Sequence, residues 1–300
     1  MYEKEYEIPD GSLYYKLTEG GICITRFQGN ASEVHIPDTI EGIPVTVICK
    51  KAFLSRKFLR RVYLPAAIQS VEEWAFAYSG ALTEVITAVQ PVSFGRAVFL
   101  DCNSLKRIVP IDAADNTGFE PELLAAALLS LDAYYLLELP AVGTKEWLAK
   151  WDARLCEIMH SPDDNGYSKQ VLCGEEDYGS TDLDAFMSRN REQKCRMAML
   201  RLLHPAGLSA ELNNELTEYL KNHTKGCPQE ESFQVILNEH GDDKEYYELF
   251  AHIGCVNGDN INKVLESIGE RYPEMKAYFI KASGTDAGST VDDFFGGLEL

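Results

Sequence analysis

The sequence predicts an α+β chain, a short solenoid of 23-residue coils followed by an acidic all-α helical-repeat domain. Three observations carry this reading. Hydrophobic positions recur every 23 residues between Ile48 and Ile108, the apolar period becomes helical from Phe119 onward, and charge is divided unevenly along the chain. Of a formal net charge of −19, residues 1–110 contribute nothing, with 12 Lys and Arg against 12 Asp and Glu, whereas residues 111–300 carry 16 against 35. A break of that size marks a domain boundary. The expected organisation is an N-terminal segment at 1–11, the solenoid at 12–110, a linker at 111–118, the all-α domain at 119–282 and a flexible tail at 283–300.

The repeat rests on four columns. Phe53, Phe76 and Phe99 are spaced by 23, as are Ile48, Val71 and Phe94; Leu59, Leu82 and Leu105; and Val62, Val85 and Ile108. Periods of 20–29 with an L-x-x-V/L-x-L core mark leucine-rich solenoids. Leu59, Val62 and Leu64 face inward from a short strand, the chain turns at Pro65, and Ile68, Val71 and Phe76 enter the same core. One coil cannot bury these side chains alone, so neighbours must stack.

The stretches VHIPDTIEGIPVTVICKKAF (34–53) and VYLPAAIQSVEEWAF (62–76) resemble the BspA-type leucine-rich repeat, a family common in bacterial and some protist proteins. Ala52-Phe53 and Ala75-Phe76 match the end of its unit, and LYYKLTEGGICITRFQG (13–29) resembles the strand pair that often opens such arrays. The resemblance covers 12–110 and implies a fold with no catalytic residues. Later coils depart from it, with Leu64-Pro65 replaced by Thr87-Ala88 and Ala75 by Val98. Many members are exported and act in adhesion. The acidic opening MYEKEYEIPDGS has no apolar core, so no signal peptide is expected and the cytoplasm is the expected compartment.

Strand alternation yields the first candidate binding face. With Val62 and Leu64 inward, Arg61 and Tyr63 point outward, followed one and two coils later by Glu84 with Ile86 and Arg107 with Val109. An apolar column, Tyr63–Ile86–Val109, thus runs beside a charged one, Arg61–Glu84–Arg107, and stacked apolar residues on a solvent face call for a cover. The second candidate is a basic corner, KKAFLSRKFLRR, in which Lys50, Lys51, Arg56, Lys57, Arg60 and Arg61 stand with no acid among them. Both also have plain readings, as strand-compatible side chains and as a solvated turn.

In the second half, PELLAAALLSLDAYYLLEL (121–139) reads as one buried helix that closes the solenoid, and 144–160 as a helix with Thr144 as cap and Trp147, Trp151, Leu155 and Ile158 on one stripe. Further helices are expected at 182–203, 209–223, 229–239, 243–253, 259–270 and 273–282, with Ser209 and Asp259 as caps. Their short spans and tight turns resemble helix-pair repeats of the ankyrin kind. Phe294 and Phe295 in the tail form a possible docking peptide.

Chemistry is sparse. The eight cysteines form no CxxC and read as reduced thiols, and the sequence has no P-loop, GxGxxG, GxSxG, HExxH or EF-hand loop. Cys156 and His160, four apart on a helix, and the cluster His240, Asp242 and Asp243 fall short of a metal-ligand set. No cofactor or metal is expected. The acidic half argues against nucleic acid, and the longest apolar run is broken by Asp132, so no membrane span is expected. The resulting expectation is a non-enzymatic protein–protein interaction scaffold with an unknown protein partner. It would act through the strand face, the basic corner or a groove between the halves. The alternatives are an enzyme or ligand-binding protein with its site at the domain junction, and a cell-surface adhesin.

Overall fold

A computed structural model describes residues 2–9, 11–112, 117–168, 182–227 and 229–284. Phe294 and Phe295 and most of 161–181 lie outside the described residues. The chain divides into two compact units, 1–155 and 156–300.

The first unit is a β-solenoid of about four turns. Its opening strands are β1 (Lys4–Ile8), β2 (Gly11–Thr18) and β3 (Gly21–Gln28), an antiparallel meander. The sequence placed β1 in a segment before the domain; its KEYEI pattern is charged because it is an exposed edge. Each coil then contributes one strand to each of two sheets. Sheet A runs β1-β2-β3-β6-β8-β10, with β6 at Ile43–Ile48, β8 at Ser70–Val71 and β10 at Ser93–Phe94. Sheet B runs β11-β9-β7-β4, all parallel, with β4 at Glu33–His35, β7 at Arg61–Tyr63, β9 at Glu84–Thr87 and β11 at Arg107–Pro110. From β7 onward the register repeats every 23 residues. The first coil is longer because β5 (Thr39–Ile40) forms a hairpin with β6 across Glu41 and Gly42, both at positive φ.

The four sequence columns form the core. Phe27, Phe53, Phe76 and Phe99 are buried and stacked, with ring centroids 5.3, 5.0 and 5.7 Å apart along the row. Two turn positions per coil adopt left-handed backbone without glycine: Lys51, Trp74 and Ala97 at φ 63, 59 and 53°, and Ser55, Tyr78 and Asp101 at 58, 59 and 55°. Each such residue costs about 1 kcal/mol. In exchange the turn aims N–H groups at the next coil: Phe53 to Ala75 and Phe76 to Val98, at 2.7 and 3.0 Å.

Beyond β11 the expected 121–139 helix is shorter than its apolar run. Helix α1 covers Pro121–Leu129, and the chain continues past a left-handed Asp132 into 3-10 turns at Tyr134–Leu136 and Leu139–Ala141. The break lets two short segments pack where one straight rod would not. Helix α1 lies beside β11, and α2 (Lys145–Met159) holds it through the Trp151 indole, which donates to the Leu123 carbonyl at 2.9 Å. The Trp147 amide reaches the Thr144 hydroxyl at 3.3 Å, as a cap should.

Reduced thiols are corrected at one pair. Cys23 on β3 and Cys49 after β6 form a disulfide, their Cα atoms 6.1 Å apart, because parallel pairing of β3 with β6 sets Cys23 opposite Val47, two residues before Cys49. Cys102, Cys195, Cys227 and Cys255 are buried free thiols.

The second unit is helical: α3 (Leu183–Leu203), α4 (Ala210–Asn222), α5 (Glu231–Glu239), α6 (Lys244–His252), α7 (Ile261–Ile268) and α8 (Pro273–Gly284). Helix α3 is a spine against which α4, α5 and α6 pack. Ser209 caps α4 as expected, accepting from the Leu212 amide; Asp259 does not cap α7, whose N-cap is Asn260. Buried charge is paired. Lys194 reaches the Asp163 carboxylate at 2.6 Å and the Ser161 carbonyl at 2.7 Å, and Arg191 reaches Glu231 at 2.6 Å.

Burial alone pushes the Glu231 carboxyl up, but hydrogen bonds from Arg191, a backbone amide and Ser188 outweigh it, so its pKa lies below the ordinary carboxylate range. A depressed folded-state pKa contributes stability above the unfolded value, about 4.3, which is lost as pH falls through the folded value. Glu231→Gln therefore lowers stability at neutral pH and flattens the acid limb of a denaturation series. An unchanged acid limb would remove Glu231 from the account.

Candidate interaction surface

The outward face of sheet B holds the predicted columns in register. Arg61, Glu84 and Arg107 face one another across β7, β9 and β11, as do Tyr63, Ile86 and Val109. The structure adds two members. β4 pairs with β7 so that Glu33 meets Arg61 and His35 meets Tyr63, the His35 ring stacking on Tyr63 at 3.8 Å and 12°. The 23-residue period misses both because the hairpin lengthens the first coil; matching Val34-x-Ile36-Pro37 to Val62-x-Leu64-Pro65 finds them.

Charges along the first column alternate and pair. Glu33 lies 3.5 Å from Arg61, Arg61 lies 4.0 Å from Glu84, Glu84 lies 3.6 Å from Arg107, and Arg107 lies 2.7 Å from Glu122 at the start of α1. The Tyr63 phenol, then Glu33, raises the Arg61 pKa further. Exposed pairs of this kind contribute little to stability, so their main effect is to order the face. In the second column Ile86 is only 8 % exposed, whereas Tyr63 and Val109 on either side are half-buried and His35 is exposed. The accessible centre is therefore aromatic, formed by His35 and Tyr63.

The basic corner divides among separate surroundings. Lys50 pairs with Glu73 at 2.6 Å, and Lys50 and Lys51 lie 5.1 and 4.8 Å from the Trp74 ring centroid. That lysine holds the Glu73 carboxyl below its usual range. Arg56 donates to the Leu54 carbonyl at 3.1 Å and, with Lys57, lines a cavity of about 150 Å³ floored by Phe27 and edged by Phe58. Arg60 is exposed at the entry to β7, and Arg61 belongs to the charge ladder.

Thiol chemistry is suppressed where the cysteines are deepest. Burial pushes the thiols of Cys102, Cys195 and Cys255 up to about 12 and that of Cys227 up to about 11, so none is a ready nucleophile. His160 is engaged by Glu215 at 2.7 Å, and His240 by Asp243 at 2.9 Å while it stacks on Tyr246. Among the described residues no group of three or more His, Cys, Asp and Glu is placed to hold a metal ion, and no helix is long and apolar enough to cross a membrane.

No family model matches the chain, and no curated protein matches it. Three solved structures are similar over part of it. A leucine-rich repeat protein from Bacteroides capillosus ATCC 29799 shares 26 % identity over 36 % of this chain and 83 % of its own, at a TM-score of 0.31. The leucine-rich repeat protein of T. pallidum shares 28 % over 38 % of this chain and 57 % of its own, at 0.27. A leucine-rich cell surface protein from Faecalibacterium prausnitzii A2-165 shares 22 % over 37 % of this chain and 30 % of its own, at 0.31. The class defined by the coils themselves is α+β, a leucine-rich-repeat solenoid with a helical second unit.

Proposed function

We propose that the chain is a non-enzymatic protein-recognition module of the BspA-like kind, acting through the outward face of sheet B. The observation that carries this reading is the His35–Tyr63 stack, an accessible aromatic pair bordered by a self-paired charge ladder. Such a face offers an apolar anchor while its flanking charges set orientation. The matching partner surface has an apolar centre within a rim of mixed charge. Capture from a source-cell lysate tests this, with wild type beside Tyr63→Ser and Lys57→Glu/Arg60→Glu baits. A specific protein lost at least about tenfold on Tyr63→Ser, but retained by the charge-reversed bait, is the expected result. Equal retention by the Tyr63→Ser bait would move the contact elsewhere.

A second reading, exposure at the cell surface in place of the cytoplasm, is supported by the Cys23–Cys49 disulfide. Disulfides persist mainly in oxidising compartments. Alkylating intact cells without reductant and mapping the peptides distinguishes the two. A linked Cys23–Cys49 peptide is the expected outcome for surface exposure; two alkylated thiols would return the protein to the cytoplasm.

A further inference from the structure

The two sheets of the solenoid end differently. Sheet B closes against α1, which lies beside β11, whereas sheet A stops at the two-residue strand β10. In a parallel ladder, successive residues turn their backbone groups to alternate sides. Ser93 and Gly95 donate back to Gln69 and Val71, at 2.8 and 2.7 Å, so the N–H and C=O of Phe94 between them face away from β8. Earlier coils show what this side binds. Ile24 accepts from Cys49, Ile48 from Glu72 and Val71 from Gly95, all extended chain. The following turn repeats the pattern, since Lys51 and Trp74 donate to Glu73 and Arg96, both at 3.3 Å. Among the described residues, none accepts from Ala97, their counterpart in the last coil. Thr117, one period beyond Phe94, is exposed and in no strand.

Beside the edge lies a cavity of about 530 Å³, with an apolar wall from Phe94, Ala97 and Leu100 of the last coil and Tyr134 and Leu137 of the turns after α1, and with Arg96 and Asp132 also in its lining. Leu100 and Tyr134 are each 36 % exposed. The volume falls within the range of small-ligand and peptide pockets. An apolar wall next to backbone groups that no described residue pairs has the chemistry of strand addition, in which the main chain supplies affinity and one side-chain seat supplies selection.

We propose that this edge and cavity bind an extended peptide segment of a partner protein, running parallel to β10 as part of one more coil. The segment accepts from the Phe94 and Ala97 amides and donates to the Phe94 carbonyl. Its apolar side chain enters the cavity over the Phe94 ring. That seat follows Ile48, Val71 and Phe94 in the inward column, so it suits a β-branched or aromatic residue. A second copy of this chain fits less well. The opposite edge of sheet A is β1, where Lys4, Glu5 and Glu7 provide the charged pattern that resists edge-to-edge pairing. This site is separate from the face of sheet B and does not depend on that reading.

The probe is a synthetic peptide of residues 90–101, QPVSFGRAVFLD, the stretch that pairs with β8 in the intact chain. Titration of the full chain is expected to give a Kd of about 10–100 μM, with slowed hydrogen exchange at the Phe94 and Ala97 amides. Methylating the backbone nitrogen of the peptide's glycine, which would reach the Phe94 carbonyl, is expected to weaken binding at least about tenfold, as is Leu137→Glu in the protein. The methylated peptide leaves the protein unaltered, so misfolding of the variant cannot decide the outcome. The proposal is overturned by no binding at about 1 mM, either of this peptide or of peptides selected from a random displayed library. Equal binding of the methylated peptide, or protection that spares Phe94 and Ala97, overturns it too. Concentration-dependent dimerisation that competes with the peptide would assign the edge to a second copy instead.

Discussion

Phe76→Ala lowers the stability of the solenoid unit by about 3–5 kcal/mol, a large fraction of the 5–15 kcal/mol typical of a whole domain. The ring is fully buried and touches rings on both sides, 5.0 Å from Phe53 and 5.7 Å from Phe99. Truncation removes its apolar area and both stacking contacts, and leaves a void that neighbouring coils cannot fill without shifting their hydrogen-bonded turns. Phe76→Leu restores most of the volume and costs about half as much or less. Because the chain has two compact units, a single melting midpoint is an ambiguous readout. Residue-resolved hydrogen exchange separates them. Amides of β6, β8 and β10 are expected to lose protection while α3 to α6 keep theirs; loss of less than about 1 kcal/mol of protection would show that the column does not hold the coils together.

Trp151→Ala is the second large effect, again about 3–5 kcal/mol, acting where the solenoid is closed. The indole is fully buried on α2 and its N–H ties that helix to the Leu123 carbonyl of α1. Helix α1 in turn covers β11 and meets the charge ladder through Glu122. Removing the ring therefore loosens α1 first and β11 next. Trp151→Phe keeps most of the packing and loses the hydrogen bond, worth about 1 kcal/mol. Denaturant unfolding followed by circular dichroism, with exchange at the β11 amides as the local reporter, checks both variants. If β11 remains as protected as in wild type when Trp151 is alanine, α1 is not the closure it is taken to be.

Legibility followed physical cause. The 23-residue columns were readable because each coil buries itself against its neighbours and must repeat the same side chains at the same depth. The helices after 182 were readable from their apolar stripes, and Ser209 from its capping chemistry. Features set by a neighbouring strand were not. Glu33 and His35 join the columns only because β4 pairs with β7 across a coil lengthened by the Thr39–Ile48 hairpin. Cys23 and Cys49, separated by 26 residues, are brought together by β3 and β6, and nothing in their spacing announces it. The apolar run at 121–139 carries no proline or glycine at the point where α1 ends, so no residue type in it announces the stop at Leu129. Of the candidate surfaces, the strand face was legible as alternation, whereas KKAFLSRKFLRR read as one patch because sequence adjacency conceals a coil's turns.

The ladder on sheet B has an arithmetic consequence. Read across the strands and onto α1, its signs run Glu33, Arg61, Glu84, Arg107, Glu122. Excising the coil that carries Arg61 would set Glu33 against Glu84, and excising the one that carries Glu84 would set Arg61 against Arg107, each replacing attraction by repulsion. Opposed like charges on adjacent strands are destabilising, a small effect in one molecule but enough to bias which lengths persist. Coils are thus gained or lost most easily in pairs, and the array carries a parity.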